Sequence, residues 1–318
     1  MGFETLLGNR RLKDNLKSSL RKGRISHFYL ISGPAGSGKR TLARLLAQAI
    51  LCGEPDAPCG VCNACRKVAG NSHPDFITVD DPEKKTVPVD LIRQARSDIY
   101  VQPNEADHKI YLFPRAQDMG LPGQNALLKV LEEPPKYGVF LLLTDNPEKL
   151  LPTVRSRCTE LALRPLEEDT LRRYLKARFP DAADDAVTAA VIRSGGWLGQ
   201  AAELLEQGDT ATPQTVSFVE SFGKRDTMGL VQTLVPMEKL KRDALIPILA
   251  EWLEVLEGAL SCRAGLQAVS PLAGQLGRQR TSADLMAAVR CIKKGMEYAQ
   301  GNVSPAAVCG WLSWELRR

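Results

Sequence analysis

The fold of this 318-residue chain is decided by the stretch His27-Phe28-Tyr29-Leu30-Ile31-Ser32-Gly33-Pro34-Ala35-Gly36-Ser37-Gly38-Lys39. Its first five residues are mostly apolar, which predicts a buried β-strand that ends at the glycine-rich segment. Apolar residues at helical spacing follow from Leu42 to Leu51 and predict a helix. Glycines between a strand and a helix allow successive backbone N–H groups to converge on phosphate oxygens, and a lysine reaches the terminal phosphates. The sequence therefore predicts a phosphate-binding loop that uses Gly33, Gly36, Gly38 and Lys39.

Outside this stretch, further short apolar runs predict strands at residues 75–79, 109–113, 139–143 and 159–163. Apolar residues at helical spacing predict helices at residues 9–23, 89–100 and 125–132. Apolar strands that alternate with helices are typical of a parallel sheet with helices on both faces. After Pro165 the pattern is helical to the end of the chain. The sequence therefore predicts an α/β fold that is followed by an all-α region.

The change of pattern at Pro165 also divides the chain into predicted domains. At roughly 150 residues per domain, a chain of this length holds about two domains or three small ones. We expect an α/β domain over residues 1–165, a compact helical unit over 166–210 and a second helical block over 211–318. Small and turn-forming residues over 208–213 predict a linker between the two helical parts.

The composition excludes several classes of protein. Hydrophobic residues make up 44% of the chain and charged residues 25%, which is typical of a globular protein and excludes a disordered or fibrous one. The sequence has no run of about 18 apolar residues, so we expect no membrane span. The first residues lack the basic and apolar regions of a secretory signal, which favours a cytoplasmic location.

The net charge of +5 is distributed unevenly. Residues 1–50 hold ten Lys and Arg residues against Glu4 and Asp14, which gives this quarter +8 and leaves −3 for the rest. A basic segment of this kind faces the phosphates of a nucleotide or nucleic acid, or forms a solvated helix face.

Two positions depart from what ATP hydrolysis requires. The residue after the loop lysine should carry a hydroxyl for Mg²⁺, but it is Arg40, a permanent cation without a lone pair. Thr41 is a poor substitute because one helical step rotates its side chain by about 100°. An Asp-Glu pair should follow a neighbouring strand, but Pro114-Arg115 follows 109–113, and Asp118 lies too far along. We therefore expect impaired ATP and Mg²⁺ binding, and an ATPase fold that does not hydrolyse ATP.

Four of the eight cysteines, Cys52, Cys59, Cys62 and Cys65, fall within 14 residues, at the spacing C-x₆-C-x₂-C-x₂-C. Four thiolates at such spacing can close a tetrahedral zinc site, and disulfides are improbable in a cytosolic protein. Four protein ligands leave no open coordination position, so the predicted zinc is structural rather than catalytic. His73 would be a fifth ligand, and we expect it to pack or form hydrogen bonds instead.

Several of these motifs together resemble the clamp-loader subunits of bacterial DNA polymerase III, which belong to the AAA+ superfamily. They are the glycine-rich loop, the four-cysteine module, Asn125-Ala126-Leu127-Leu128-Lys129-Val130-Leu131-Glu132-Glu133-Pro134-Pro135, and Ser156-Arg157-Cys158. The resemblance is strong over residues 1–165, moderate over 166–207 and weak beyond. It implies an AAA+ domain with an inserted zinc module, a helical lid over 166–210 and an oligomerising helical collar over 211–318.

The same resemblance assigns roles to individual residues. Arg157 would act in trans as an arginine finger in the ATP site of a neighbouring subunit. Thr144 occupies the position of the first nucleotide sensor. Gln200 lies at the second sensor, where a basic residue is expected, and this departure weakens nucleotide sensing within the chain. With Arg40 and Thr41, these residues complete a degenerate nucleotide site.

Within the family, Arg40 and Pro114-Arg115 favour the delta-prime branch, a stator that does not hydrolyse ATP, over the gamma/tau motor branch. The implied partners are the gamma/tau and delta subunits, the sliding clamp and primed DNA, within the DNA polymerase III holoenzyme and its nucleotidyltransferase activity. One alternative is a motor subunit with a rearranged metal site. Another is a zinc-containing nucleic-acid adaptor that contacts DNA through residues 1–50.

Overall fold

The architecture was examined in a computed structural model, which describes residues 2–206, 211–266, 270–301 and 303–317. The chain separates into two compact units, one of residues 1–180 and 194–203 and the other of residues 181–193 and 204–318. The three predicted domains remain a prediction, and the predicted boundary at residue 210 lies outside the described residues, as does part of the predicted linker.

The first unit contains a five-stranded sheet in which every pair of neighbouring strands is parallel. The strands are β1 (Phe28–Ser32), β2 (Phe76–Thr78), β3 (Lys109–Phe113), β4 (Gly138–Thr144) and β5 (Thr159–Ala162). Their order in the sheet is β2-β3-β4-β1-β5, so β1 lies between β4 and the edge strand β5. This order brings the carboxyl end of β1 beside the carboxyl end of β4, where Ser32 is paired with Thr144.

Helices connect the strands of the first unit and continue beyond the sheet. They are α1 (Arg10–Arg21), α2 (Lys39–Leu51), α3 (Asn63–Ala69), α4 (Val89–Asp98), α5 (Leu121–Glu132), α6 (Pro152–Arg155) and α7 (Glu168–Arg178). Short 3₁₀ helices occur at Gly2–Thr5, Ala116–Asp118 and Pro147–Lys149.

Strands β1, β3 and β4 are buried throughout. Their side chains alternate between the two faces of the sheet, and each face packs against a hydrophobic cluster. Tyr29 and Ile31 of β1 point to one face, where they join a cluster with Leu42 and Leu46 of α2. Phe28 points to the other face and stacks on Phe140 of β4, with the ring centroids 4.6 Å apart. Burial on both faces explains why the strands read as continuous apolar runs rather than as alternating patterns.

The second unit is helical throughout its described residues. Its helices are α8 (Asp184–Arg193), α10 (Pro213–Gly223), α11 (Thr227–Met237), α12 (Arg242–Arg263), α13 (Pro271–Gln279), α14 (Ser282–Gln300) and α15 (Pro305–Glu315); α9 (Leu198–Glu206) begins in the first unit. Its core is centred on Trp252 of α12, which is fully buried and stacks on Phe218 of α10 with centroids 4.1 Å apart.

The predicted fold class is confirmed: a five-stranded parallel sheet with helices on both faces and a four-cysteine insert precedes an all-helical region. The structure sets β1 and β4 one residue beyond their predicted ends, and α5 begins at Leu121, four residues before the predicted start. None of the helices in the described ranges is long and apolar enough to cross a membrane.

Candidate phosphate-binding loop and four-cysteine site

The glycine-rich loop connects β1 to α2, as predicted. Gly36 and Gly38 have φ angles of 73° and 92°, a left-handed conformation that glycine adopts without steric cost. Gly38 is also the N-cap of α2, and no side chain caps this helix end. The first N–H groups of α2 therefore keep their donor capacity for an anion in the loop.

Lys39 is held inside the loop by three oxygen atoms. Its Nζ atom lies 2.5 Å from the carbonyl oxygen of Gly33 and 2.8 Å from that of Pro34. It also lies 2.5 Å from Oδ1 of Asp145, the residue that follows β4, and only 10% of the lysine side chain is exposed. The Asp145 carboxylate neutralises the charge of Lys39. Asp145 is 106 residues away along the chain and was not among the predicted site residues.

The start of α9 binds the same loop through backbone and side-chain groups. The N–H of Gly199 donates to the carbonyl of Gly36 at 2.9 Å, and Nε2 of Gln200 donates to the carbonyl of Ala35 at 2.9 Å. A Cβ atom added to Gly199 would lie 2.5 Å from Cα of Gly36, so the two backbones touch directly. Gln200, at the predicted second sensor position, thus holds the loop rather than presenting a cation to a phosphate.

A cavity of about 770 Å³ opens beside the loop within the first unit, in the size range of small-ligand sites. Of the predicted nucleotide-site residues, Gly36, Gly38, Lys39, Arg40 and Thr41 line it. Arg115, Asp118, Asp145, Arg164 and Arg178 also line it. The cations outnumber the carboxylates around the cavity, so its wall favours an anion and opposes a free divalent cation.

Arg115 is fixed at the second position after β3, where the water-polarising Glu of the Asp-Glu pair was expected. Its Nη2 atom lies 2.7 Å from Oδ1 of Asp80, and its guanidinium also donates to the carbonyl oxygens of Asp81 and Lys84. Asp80 is the largest cause of a raised pKa of Arg115. Asp118 lies 3.8 Å from Arg115 and reaches the cavity wall, although its sequence position suggested that it was too distant to contribute.

Thr144 ends β4 and is completely buried. Its hydroxyl oxygen accepts the N–H of Asn146 at 3.1 Å, and its carbonyl accepts the N–H of Gly33 at 3.2 Å. Neither Thr144 nor Gly33 lines the cavity, so both support the loop from behind. The next residue, Asp145, faces Lys39 instead.

Arg157 lies just after α6, about 40% of its side chain is exposed, and it is remote from the loop in sequence. Its guanidinium donates to the carbonyl of Thr153 at 3.1 Å and pairs with Glu132 of α5 at 3.3 Å. An exposed ion pair of this kind contributes little to stability. The guanidinium is thus positioned by local contacts that a stronger anion can replace.

The four cysteines converge on one point, as the spacing predicts. All four Sγ atoms lie within 4.8 Å of one another, with Cys52 and Cys62 3.8 Å apart and Cys59 and Cys65 3.9 Å apart. In a tetrahedral site with Zn–S bonds of about 2.3 Å, the sulfur atoms are about 3.8 Å apart. The donor set and its distances therefore fit a structural zinc ion.

Local hydrogen bonds in this cluster favour the thiolate form of cysteine, which is the form that binds a metal cation. The N–H groups of Val61 and Cys62 point at Sγ of Cys59, and they lower the pKa of the Cys59 thiol to about 6. Burial raises the pKa of the Cys65 thiol in the same cluster. The cluster is also tied to the phosphate-binding helix, because Gln48 of α2 donates to the carbonyl of Cys65 at 2.8 Å.

His73 is not a fifth ligand in the described structure; its Nδ1 atom accepts the N–H of Asp75 at 3.1 Å. Asp75 is completely buried. Burial acts to raise its pKa, but hydrogen bonds from Asn104, Glu105 and Ala106 outweigh this effect and lower the pKa overall. This carboxylate ties the start of β2 to the loop before β3, a role that was not predicted from the sequence.

A parallel sheet with a glycine-rich loop between its strand β1 and α2 defines the P-loop class of nucleotide-binding domains. A family model described as DNA polymerase III, delta subunit, matches residues 8–167, half of the chain. The delta' subunit of DNA polymerase III from Pseudomonas aeruginosa is 33% identical over 230 residues, which cover 71% of this chain and 69% of that protein. The chain belongs to the DNA polymerase III delta/delta' clamp-loader family.

Other relatives carry the name of a different subunit. The gamma/tau subunit from Mycobacterium tuberculosis is 38% identical over 200 residues, which cover 61% of this chain and 34% of that protein, so the chain spans about a third of its length. Among solved structures, a gamma subunit-related protein from Thermotoga maritima has a TM-score of 0.51 at 19% identity and covers 96% of this chain and 100% of that protein. This likeness concerns the fold.

Proposed function

We propose that the chain is a delta-prime-type subunit of the DNA polymerase III clamp loader, and that it does not hydrolyse ATP itself. The observation that carries this proposal is an arginine at each of two catalytic positions, that of the metal-binding hydroxyl and that of the Glu after β3. Arg40 follows the loop lysine and is exposed, and Arg115 is fixed by Asp80 beside the same cavity. A cation at each of these two positions opposes binding of Mg²⁺, and in the described structure Arg115 stands where the Glu after β3 is expected.

Arg157 is the residue through which this subunit acts on its neighbour. Its guanidinium is partly exposed, and the Glu132 carboxylate that holds it is exposed as well. The γ-phosphate of ATP in an adjacent motor subunit is a stronger anionic partner than Glu132. A guanidinium at that phosphate stabilises the charge that develops during transfer, an effect worth about 10³–10⁵ in rate in related enzymes.

The remaining parts of the proposal concern assembly. The partners are gamma/tau and delta subunits, and the complex opens a sliding clamp and places it on primed DNA. The segment 166–210 acts as a lid on the loop, which the bonds from Gly199 and Gln200 to the loop support. The helices of 211–318 form a collar between subunits. Cys52, Cys59, Cys62 and Cys65 hold a zinc ion, which supplies cross-linking of the loop 52–65.

The experiment that tests this function is an ATPase assay on the isolated chain and on the complete complex. The isolated chain should release almost no phosphate with Mg²⁺ and ATP. In the complex, Arg157→Ala should strongly lower ATP turnover while the subunits still assemble, as measured by size-exclusion chromatography. Arg155→Ala is the matched control, since Arg155 lies two residues away and is paired with Glu148 at 2.8 Å. Normal turnover in the Arg157→Ala complex would remove this residue from the mechanism.

A gamma/tau-type motor is the second candidate, because the 38% identical relative carries that name. Asp118 and Asp145 line the cavity and are the carboxylates that a rearranged metal site would use. Rapid Mg²⁺-dependent ATP hydrolysis by the isolated chain, abolished by Lys39→Ala, would favour the motor and contradict the stator.

A further inference from the structure

The edge strand β5 leaves one side of its backbone without a partner. β5 is the last strand of the sheet and pairs in parallel with β1, with Tyr29 opposite Thr159 and Ser32 opposite Ala162. The side chain of Leu161 is buried, whereas those of its neighbours along the strand are exposed. Exposed strand edges offer rows of N–H and C=O groups to another chain.

One hydrogen bond determines which residues of β5 face outward. Leu163 donates its N–H to the carbonyl of Ser32 at 2.9 Å, so this residue faces β1. The N–H and C=O of one residue in a parallel strand point to the same side, and successive residues alternate. Leu161 therefore also faces β1, and the backbones of Glu160, Ala162 and Arg164 face away from it. Among the described residues, no partner is found for the outer N–H and C=O groups of Glu160 and Ala162.

The next outward-facing residue shows what fits on this edge. The side-chain amide of Asn9 bonds Arg164 twice: its Oδ1 accepts the N–H of Arg164 at 2.9 Å, and its Nδ2 donates to the carbonyl of Arg164 at 3.3 Å. The Asn9 amide is chemically equivalent to a peptide group. It thus occupies the place that one residue of an added strand would take, and it stops before Ala162.

A groove of about 880 Å³ runs along this edge within the first unit, and α1 forms its other wall. Leu16 and Leu161 give it an apolar floor. Its charged lining residues are the cations Arg10, Arg11, Arg24 and Arg164 and the acids Glu160 and Glu167. The cations outnumber the acids, so the groove attracts a negatively charged segment.

We propose that the groove between β5 and α1 binds an extended acidic peptide of a partner protein, which adds to the sheet as a strand beside β5. Strand addition between a sheet edge and a helix is a known mode of peptide recognition, in which the main chain gives affinity. The groove offers acceptors as well as donors, since each outward residue presents a carbonyl beside its N–H. A phosphate backbone has no donor for these carbonyls, so the edge favours a peptide over a nucleic acid.

The test measures binding of the full chain to a fluorescein-labelled peptide of alternating aspartate and valine. Ala162→Pro removes the outward N–H without touching the bonds to β1, and proline is tolerated on such an edge. It should weaken binding about three- to tenfold, the effect of one lost hydrogen bond. Ala162→Val keeps the N–H and is the matched control, which should bind as the wild type does.

The charge and the main-chain parts of the proposal are tested separately. Arg11→Glu should weaken binding more than Lys22→Glu, a matched charge reversal at the end of α1 outside the groove. A peptide with N-methylated backbone nitrogens should bind the wild-type chain more weakly, which does not depend on how any variant folds. Amide hydrogen exchange should slow at Glu160 and Ala162 when the peptide is added and stay unchanged at Leu161.

Three results would overturn the proposal. They are no binding of the acidic peptide, equal binding of the N-methylated peptide, and displacement of the peptide by single-stranded oligo(dT) at lower concentration than by unlabelled peptide. The last result would identify the basic side of α1 as a nucleic-acid surface.

Discussion

Helix α2 begins at Lys39 in the glycine-rich loop and ends at Leu51, next to Cys52 of the four-cysteine cluster. The surroundings of its two ends differ in whether they favour a bound cation. At the cysteine end, four sulfur atoms lie within 4.8 Å of one another and fit a metal ion. At the loop end, cations that include Arg40 and Arg115 outnumber the carboxylates around the cavity. The two ends of one helix thus present opposite preferences for a cation.

Removing a ligand at the cysteine end should have the largest effect. Structural zinc contributes apparent binding free energies of about 10–16 kcal/mol in zinc-finger peptides. Cys59→Ser retains an acceptor for the N–H groups of Val61 and Cys62 but loses the thiolate. We expect loss of zinc, measured by mass spectrometry, and a lower Tm. Cys262→Ser, outside the cluster, should leave the zinc content and the Tm unchanged. An unchanged Tm after complete metal removal would show that the cluster does not stabilise the fold.

Replacing the buried Asp75 carboxylate, just before β2, should have the next largest effect. Asp75→Asn replaces a buried carboxylate that accepts hydrogen bonds from Asn104, Glu105 and Ala106, and should cost about 3 kcal/mol of unfolding free energy. Because the folded state lowers the pKa of Asp75, its contribution is present above the unfolded pKa of about 3.9 and is lost as the pH falls through the folded value.

Urea unfolding at pH 7 and at acidic pH measures this contribution. The wild type should lose more stability on acidification than Asp75→Asn, which has no carboxylate to protonate. Asp107→Asn, at an exposed acid of the same loop, is the control. Parallel pH profiles for wild type and Asp75→Asn would contradict the assignment.

At the loop end, Gly199→Ala should disturb the contact between α9 and the loop. Its Cβ would lie 2.5 Å from Cα of Gly36, and overpacking of this kind costs about 1–3 kcal/mol. We expect faster hydrogen exchange at the amides of Gly36 and Ser37 and a lower Tm. Gly310→Ala, which has open space at the added Cβ within helix α15, should leave exchange in the loop unchanged and should not lower the Tm. Unchanged exchange would mean that the loop holds its shape without α9.

Restoring a metal-binding hydroxyl directly after Lys39 should have the smallest effect. Arg40→Thr removes a cation and supplies a hydroxyl beside Lys39. We expect Mg²⁺ to improve ATP binding by up to about tenfold, or about 1.4 kcal/mol, by isothermal titration calorimetry. Hydrolysis should stay absent because Arg115 remains. Arg44→Thr, one turn later on the exposed side of α2, should leave the Mg²⁺ dependence unchanged. Brisk turnover in Arg40→Thr would show that Arg115 is no obstacle.

The sequence was sufficient where a feature depends on residues close together in the chain. The strand Lys109–Phe113, the loop before α2 and the convergence of the four cysteines follow from local patterns of apolar residues, glycine and cysteine. The position of the glycine-rich loop at one end of α2 and the clustering of the cysteines at the other were therefore predicted, while phosphate binding by the loop stays a prediction.

Contacts between residues that are far apart in the chain could not be predicted from such local patterns. The pairing of Lys39 with Asp145 and of Arg115 with Asp80 depends on strand order, since β1 lies beside β4 and β3 beside β2. Local periodicity predicts that strands exist but not which strands are neighbours. The family resemblance assigns Thr144 to the first sensor position, but neither it nor the periodicity identified the next residue, Asp145, as the partner of Lys39.

The contact between Gly36 and Gly199 restricts how this chain can change over generations. When a bulky substitution appears in a packed core, a smaller residue opposite it can often restore the fit. Here both partners already lack a side chain, so no reduction in size at either position can rescue an enlargement at the other. Suppressors of such a lesion must lie elsewhere and shift a whole segment, which makes this pair a sensitive target for a genetic screen.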